Sequence, residues 1–145
     1  MNHVITYSLI LNILSKHKFG ISFNQLAKKL KGRVSRLSLK DCLEELKKRG
    51  LITIRGDPTH KQRKIYRVEK SVLIISEMLE TISFETKLSP SNITAFLSKL
   101  IRHYIELKDE IRKDDLLKSY AKQMVLSKVS NLLDVLLLTS QEAGL

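Results

Sequence analysis

FNQLAKKLKGRVSRLSLKDCLEELKKRGLITIRGDPTHKQRKIYRV, residues Phe23 to Val68, reads as one continuous device: a short helix, a turn, a second helix, then a strand pair with a basic tip. Phe23, Leu26, Ala27 and Leu30 recur at helical spacing on one side of the first helix, Ser22 is placed to cap its start, and Gly32 breaks the chain after it. Val34, Leu37, Leu39, Leu43 and Leu46 carry the apolar repeat on through the next helix, from about Arg36 to Arg49. Glu44 with Lys48 and Glu45 with Arg49 are i,i+4 pairs in the favourable orientation. Lys47, Lys48 and Arg49 suit the negative end of the helix dipole, and Gly50 supplies a left-handed cap. Leu51 to Arg55 and Lys64 to Val68 are β-prone runs on either side of Gly56-Asp57-Pro58, which predicts a hairpin with a long, mobile tip.

Upstream, Val4 to Lys16 has apolar residues at Ile5, Leu9, Ile10, Ile13 and Leu14, a helical repeat stopped by Lys18-Phe19-Gly20. No basic region precedes it and no small-residue cleavage site follows, so a signal peptide is not expected. Ile21-Ser22-Phe23 leaves room for one bridge of strand. Downstream the chain reads as helical, with no Pro/Gly/Ser-rich linker after Lys70. Ser71 is placed to cap a helix through Ile75, Met78, Leu79 and Ile82, and Ser89-Pro90 opens another with Pro at its first position. There Ile93, Leu97, Leu100, Tyr104, Leu107 and Ile111 alternate spacings of four and three, a heptad seam widened by Phe96 and Ile101. Phase is lost at Lys113-Asp114-Asp115, where a new helix starts and carries Leu117, Tyr120, Met124, Leu132, Leu133, Leu136 and Leu137. The run Val135 to Leu138 is far too short to span a bilayer, so a soluble, cytoplasmic protein is expected.

A chain of 145 residues holds one sizeable core, or a small domain plus an oligomerisation element. Its 43% hydrophobic content excludes a mostly disordered chain despite 28% charged residues. Cys42 is the single cysteine, so neither an internal disulfide nor a thiolate metal cluster is available, in keeping with a reducing compartment. Charge is polarised: residues 1–70 hold 17 Lys/Arg against 5 Asp/Glu, whereas residues 71–145 hold 9 against 10. The excess of +11 therefore belongs to the first half, and a polyanion, most simply double-stranded DNA, is the economical partner.

Gly20 to Val68 resembles the winged helix-turn-helix domain of MarR- and PadR-type transcriptional regulators. The matching residues are Asn24-Gln25-Leu26-Ala27-Lys28-Lys29-Leu30, Leu43-Glu44-Glu45-Leu46-Lys47-Lys48-Arg49-Gly50-Leu51-Ile52, the Asp57-Pro58 wing with its basic run, and Tyr66-Arg67-Val68. The likeness covers about a third of the chain. It departs in the turn Lys31 to Arg36, about two residues longer than is typical for the family. The fold expected is mainly α with a small β-hairpin wing. A winged helix-turn-helix DNA-binding domain would span residues 1–70 and a C-terminal helical dimerisation region residues 71–145. The function implied is a sequence-specific regulator that binds double-stranded DNA as a homodimer on an inverted repeat. A low-specificity chromatin or plasmid-maintenance protein, or a winged-helix protein-interaction module, are the alternatives.

Such a domain works by geometry: one helix enters the major groove while the preceding helix lies across the backbone. Leu43 and Leu46 must face the core, so Arg36, Ser38, Lys40 and Asp41 are expected to project outward at the entering end. Arg33 and Ser35 lie in the turn within reach of phosphates or bases, and Ser22 and Asn24, at the preceding helix's start, face a phosphate. His60, Lys61, Gln62, Arg63 and Lys64 form a wing tip that follows the backbone or enters the minor groove. Lys28 and Lys29 read as a solvated helix face. Asp41 and Glu44 weigh against strong non-specific binding and are of a type that accepts from cytosine amino groups.

Ile93, Phe96, Leu97, Leu100, Ile101, Tyr104, Leu107, Ile111, Leu133, Leu136 and Leu137 are the expected dimerisation residues; intramolecular packing is the competing use of the same seam. The resemblance also permits a small aromatic or phenolic effector. Tyr7, Phe84, Phe96 and Tyr104 could line its pocket, and core packing explains them equally well. Cys42, inside the second helix of the motif, reads as a structural thiol rather than a redox sensor. His3, His17, His60 and His103 lack metal spacing, so no metal or cofactor is expected. The five glycines, at 20, 32, 50, 56 and 144, form no phosphate-cradling loop, and no nucleophile elbow, paired-carboxylate motif or zinc-hydrolase helix occurs; an enzyme is not expected.

Overall fold

The computed structural model describes residues 3–60, 62–84 and 89–142, and the chain divides into two compact units, Met1–Ser76 and Glu77–Leu145. In the first unit α1 (His3–Ser15), β1 (Ile21–Ser22), α2 (Phe23–Lys29), α3 (Arg36–Lys48), β2 (Ile52–Gly56) and β3 (Lys64–Val68) follow one another. α4 (Lys70–Glu80) runs through the division between the units. The three strands form an antiparallel sheet in the order β1-β3-β2. This is a winged helix-turn-helix, as the motif residues led us to expect.

α2 has seven residues, too few to hold together alone against the cost of helix nucleation. A capping box secures its start: the Ser22 hydroxyl accepts from the Gln25 N–H, and the Gln25 side-chain oxygen accepts from the Ser22 N–H. Burial of Leu26 and Leu30 fixes its inner side. α3 is capped by Ser35, which accepts from the Ser38 N–H at 3.1 Å. It ends where Gly50, at φ +76°, lets the Leu51 N–H reach the Leu46 carbonyl at 2.9 Å, and Arg49 bonds Glu45 at 2.9 Å across its last turn. Leu39, Cys42, Leu43 and Leu46 form its buried side, and Ile10, Leu11 and Leu14 of α1 join the same core. At roughly 1.5–3 kcal/mol per fully buried aliphatic side chain, α1 is integral to this core.

The hairpin pairs Ile52 with Val68 and Ile54 with Tyr66, so that face turns inward while Thr53, Arg55 and Arg67 alternate outward. β1 is longer than expected: both Ile21 and Ser22 pair with β3, opposite Tyr66 and Ile65. Gly20 makes the approach feasible. Its φ is +93°, and a Cβ there would meet the Ile65 side chain, Arg67 Cγ at 2.7 Å and the Tyr66 carbonyl at 3.0 Å. Arg67 ties the same turn down by donating through Nε to the Lys18 carbonyl at 3.0 Å.

The second unit holds α5 (Pro90–Glu106), α6 (Lys108–Ile111) and α7 (Asp115–Glu142), with α5 and α6 both packed on α7. Ser89 caps α5, accepting from the Asn92 N–H with Pro90 in the first turn, as the sequence suggested. α4 begins at Lys70, one residue before Ser71, the residue expected to cap it. The heptad run does not continue as one helix through Ile111: α5 stops at Glu106 and α6 makes a separate turn. Asp114 opens α7 by accepting from the Leu116 N–H at 2.7 Å. Among the described residues no helix is long and apolar enough to cross a membrane.

Gly20→Ala combines a disfavoured φ, about 1–2 kcal/mol, with a collision against β3, about 1–3 kcal/mol more. At Gly50 a Cβ meets open space, so Gly50→Ala carries the φ cost alone. Urea denaturation should therefore rank Gly20→Ala clearly below Gly50→Ala, and equal losses would contradict the close approach of Gly20 to β3.

Candidate nucleic-acid interface

With about 100° between successive residues of a helix, the buried set Leu39, Cys42, Leu43 and Leu46 fixes which side of α3 faces water. Leu37, Lys40, Asp41, Glu44 and Lys48 lie opposite it and are exposed. The placing of Leu37 corrects the sequence expectation, which put it in the apolar repeat; it is 72% exposed, because the core repeat begins at Leu39. Arg36 lies on the flank that faces α2. Its guanidinium donates to Asn24 Oδ1 at 2.8 Å and sits 5.0 Å over the Phe23 ring, which in turn leans on Tyr66 at 6.4 Å between centroids. A cation held between an amide oxygen and an aromatic face is pre-aimed, so less side-chain freedom is lost when it meets an anion. Neither the place of Phe23 beneath Arg36 nor the Asn24–Arg36 bond was foreseen from the sequence, since partners twelve or thirteen residues apart leave no periodic signal.

Two clefts adjoin the start of α2, and Asn24 lines both. One, of about 400 Å³, lies between the start of α2 and the wing and is lined by Phe23, Asn24, His60, Gln62, Arg63 and Lys64 among others. The other, of about 480 Å³, lies along the turn from α2 to α3, where Lys28, Lys31, Ser35 and Arg36 contribute. Lys28, expected only as part of a solvated face, thus lines a cleft with Arg36. Arg33 is exposed and reaches back to the Lys29 carbonyl at 3.4 Å. Ser22 also lines the cleft beside the wing, 4% exposed and with its hydroxyl and N–H engaged in the capping box. Ser38 is half-buried with its N–H held by Ser35. Lys61 lies outside the described residues.

The wing tip is organised by an acid. Asp57 Oδ1 accepts from the Thr59 N–H at 2.9 Å and from the Thr59 hydroxyl at 2.7 Å, while the Asp57 N–H donates to the Arg63 carbonyl at 2.8 Å. The Thr59 backbone bond, then its hydroxyl, and lastly the charges of Arg63 and His60, hold the Asp57 carboxyl below its ordinary range. Arg63 comes no nearer than 3.9 Å to that carboxylate and stays half exposed, an ion pair of small energy that leaves the guanidinium available. Burial, aided by Asp41, pushes the Cys42 thiol up, so the reactive thiolate is disfavoured as a structural role requires. No group of three or more His, Cys, Asp or Glu among the described residues could hold a metal ion.

The residues expected to join two protomers divide in the second unit. Phe96, Leu100, Leu107 and Ile111 are buried within the single chain, because α7 already supplies Leu117, Tyr120, Ala121 and Met124 to that unit's core. Ile93, Leu97, Tyr104 and Leu136 are half-buried. Ile101 and Ile105 on α5, and Leu126, Leu133, Val135, Leu137 and Leu138 on α7, are exposed. Phe84 and Phe96 meet edge to face at 5.3 Å beside a cavity of about 140 Å³, below the usual range for small-molecule sites, and neither Tyr7 nor Tyr104 lines it.

No protein-family model matches the chain, and no curated protein matches it. Among solved structures it is similar to a mutant of S. aureus MepR bound to an oligodeoxyribonucleotide, at 22% identity over 70% of this chain and 77% of that one, TM-score 0.43. A second MepR mutant, from a multidrug resistant S. aureus clinical isolate, is 20% identical over 88% and 77% of the two chains, TM-score 0.43. The transcriptional regulator SlyA is 17% identical over 74% and 79%, TM-score 0.44. Likeness at this level does not bear on activity, which has to be argued from the chain's own surface.

A carboxyl whose pKa is lowered by folding steadies the folded tip above its unfolded value of 3.8, and that contribution fades as pH falls through the lower folded value. In an NMR titration the Asp57 carboxyl should accordingly show a midpoint below 3.8, with the Thr59 amide shifting in step. A midpoint at or above 3.8, or a silent Thr59 amide, would remove Asp57 as organiser of the wing.

Proposed function

We propose that this chain is a transcriptional regulator that binds double-stranded DNA through its first unit and acts as a homodimer on an inverted repeat. The observation that carries this is that Arg36, Lys28 and Lys31 line one cleft and His60, Arg63 and Lys64 a second, the two sharing Asn24 at the start of α2. A helix of this diameter fits the major groove, and cations supplied by the α2–α3 turn and by the wing suit phosphates that border that groove. Within this reading Lys40 and Asp41 face base edges, with Ser38 beside them at the entering turn. Asn24, Arg33, Ser35 and Arg36 take the backbone on the α2 side, and His60, Gln62, Arg63 and Lys64 take it from the wing. Arg36 serves phosphate rather than base in this arrangement, because its guanidinium is drawn toward the start of α2, the helix that lies across the backbone.

Pairing of protomers is supported by the exposed side chains of the second unit. Leu126, Leu133 and Leu137 recur on α7 at spacings of seven and four, which returns to one stripe of a helix, and Ile101 and Ile105 form an i,i+4 pair on α5. Large aliphatic side chains in such a row cost solubility when left in water and suit a self-complementary contact. Two winged units brought together this way would meet half-sites about one helical turn apart, or a multiple of it.

Selection of bound duplexes from a randomised pool, followed by gel-shift titration at several salt concentrations, tests the proposal. Arg36→Ala and Lys64→Ala should each weaken binding to every sequence alike and reduce the slope of log K against log salt by about 1 per protomer, hence about 2 for the dimer. The double variant Arg36→Ala/Arg63→Ala should lose detectable binding, whereas Lys40→Ala should reorder the preferred sequences. A pool without enrichment but with steep salt dependence would replace the regulator by a low-specificity DNA-coating protein. Binding no tighter than about 0.1 mM at physiological salt would remove DNA as the partner.

A further inference from the structure

Leu37 has no structural occupation in the fold. It stands in the first turn of α3, 72% exposed, about 180° around the helix from the middle of the buried set. Its neighbours along the chain are committed: Ser35 caps the helix, Arg36 is held against Asn24 and Phe23, the Ser38 N–H is bound by Ser35, and Leu39 is fully buried. A leucine at such a position exposes apolar surface without gaining any core contact. The same side of the helix is otherwise ionic, with Lys40, Asp41, Glu44 and Lys48, so Leu37 is an isolated apolar projection and does not belong to a greasy patch.

We infer that Leu37 is a specificity-determining residue that packs on the C5-methyl group of a pyrimidine, in practice thymine, in the major groove. The inference rests on the DNA-binding proposal above and deepens it. If α3 enters the groove with its N-terminal turn foremost, the outermost side chain of that turn comes closest to the base edges. The major-groove edges of all four bases present hydrogen-bond donors and acceptors, and only thymine adds an apolar group, its methyl. A branched aliphatic side chain offers no hydrogen bond, so over guanine, cytosine or adenine it would cover a polar edge without satisfying it. Over thymine it removes two apolar surfaces from water together. 5-Methylcytosine carries the same methyl beside an amino group, which Asp41 or Glu44 on the same side of α3 is equipped to accept from. Thymine needs no modifying enzyme and is the source to which the inference commits.

The experiment uses the full chain and the best duplex recovered from a randomised pool. Each thymine is replaced in turn by deoxyuridine, which removes the methyl and leaves Watson–Crick pairing unchanged. For the wild type, one thymine per half-site should show about a fourfold loss on replacement, the worth of a single buried methyl. Leu37→Ala should bind the thymine and deoxyuridine duplexes equally, while Leu37→Met should keep the discrimination. Because the side chain is exposed, both variants should unfold at the wild-type temperature, which a thermal melt confirms. Replacement of cytosines by 5-methylcytosine separates the two methyl sources: a gain in affinity at a cytosine position, with no thymine effect, would overturn the thymine assignment. An enriched site at which wild type and Leu37→Ala respond identically to every methyl would overturn the role of Leu37 while leaving DNA recognition standing. A change in self-association on Leu37→Ala, with DNA affinity unaltered, would make Leu37 a protein contact and overturn it too. Absence of duplex binding by the wild type would sink both this inference and the proposal beneath it.

Discussion

Burial of Leu39, Cys42, Leu43 and Leu46 against the core of the first unit is the constraint on which the rest depends. Side chains on a helix cannot choose their directions independently, so once four of them face inward the remainder are assigned. Lys40, Asp41 and Glu44 are thereby turned to water, Leu37 is carried out with them, and Arg36 is delivered to the flank where Asn24 and Phe23 receive it. Loss of one such leucine would cost on the order of 2–5 kcal/mol, comparable with the whole stability of a small domain. The orientation of the exposed side of α3 is therefore stabilised by residues buried on its opposite side.

The wing obeys a similar logic on a smaller scale. A tip rich in cations would repel itself, and its order comes from the one acid at its base. Asp57 closes a turn through Thr59, its own N–H reaches across to the Arg63 carbonyl, and its charge offsets part of the local excess. β1 adds a third strand that anchors the inner edge of β3, which is where Gly20 matters. The lever from the core to the tip is thus short and hydrogen-bonded along most of its length.

Much of this was legible in the sequence because the signals are local. Ser22, Gly50 and Ser89-Pro90 are capping chemistry within a few residues, and they placed helix ends to within one or two positions, whereas the Ser35 cap and the Gln25 half of the capping box were not read. Leu37 was misassigned because spacing of three from Val34 mimics a core repeat, while the buried side begins two residues later. Ser71 falls inside the first turn of α4 rather than before it, because the chain turns into that helix directly from β3. Contacts between distant residues were not legible at all: Arg36 with Asn24 and Phe23, and Arg67 with the Lys18 carbonyl, depend on how the helices and sheet come together. In the second unit a heptad repeat cannot say whether its partner helix lies in the same chain or another. Phe96, Leu100, Leu107 and Ile111 find theirs within the chain, and the exposed leucines of α7 are a different set.

In the function we propose, two copies of the first unit address one duplex from the same side, with α3 of each lying in the major groove. Hydroxyl-radical footprinting of the complex on a selected duplex tests it most directly, since cleavage reports which sugars the bound protein covers. Two protected stretches related by a two-fold axis, with centres about 10–10.5 base pairs or a multiple apart, are the result the account requires. A single protected stretch, or uniform protection without a centre of symmetry on a duplex the protein retains, would contradict it.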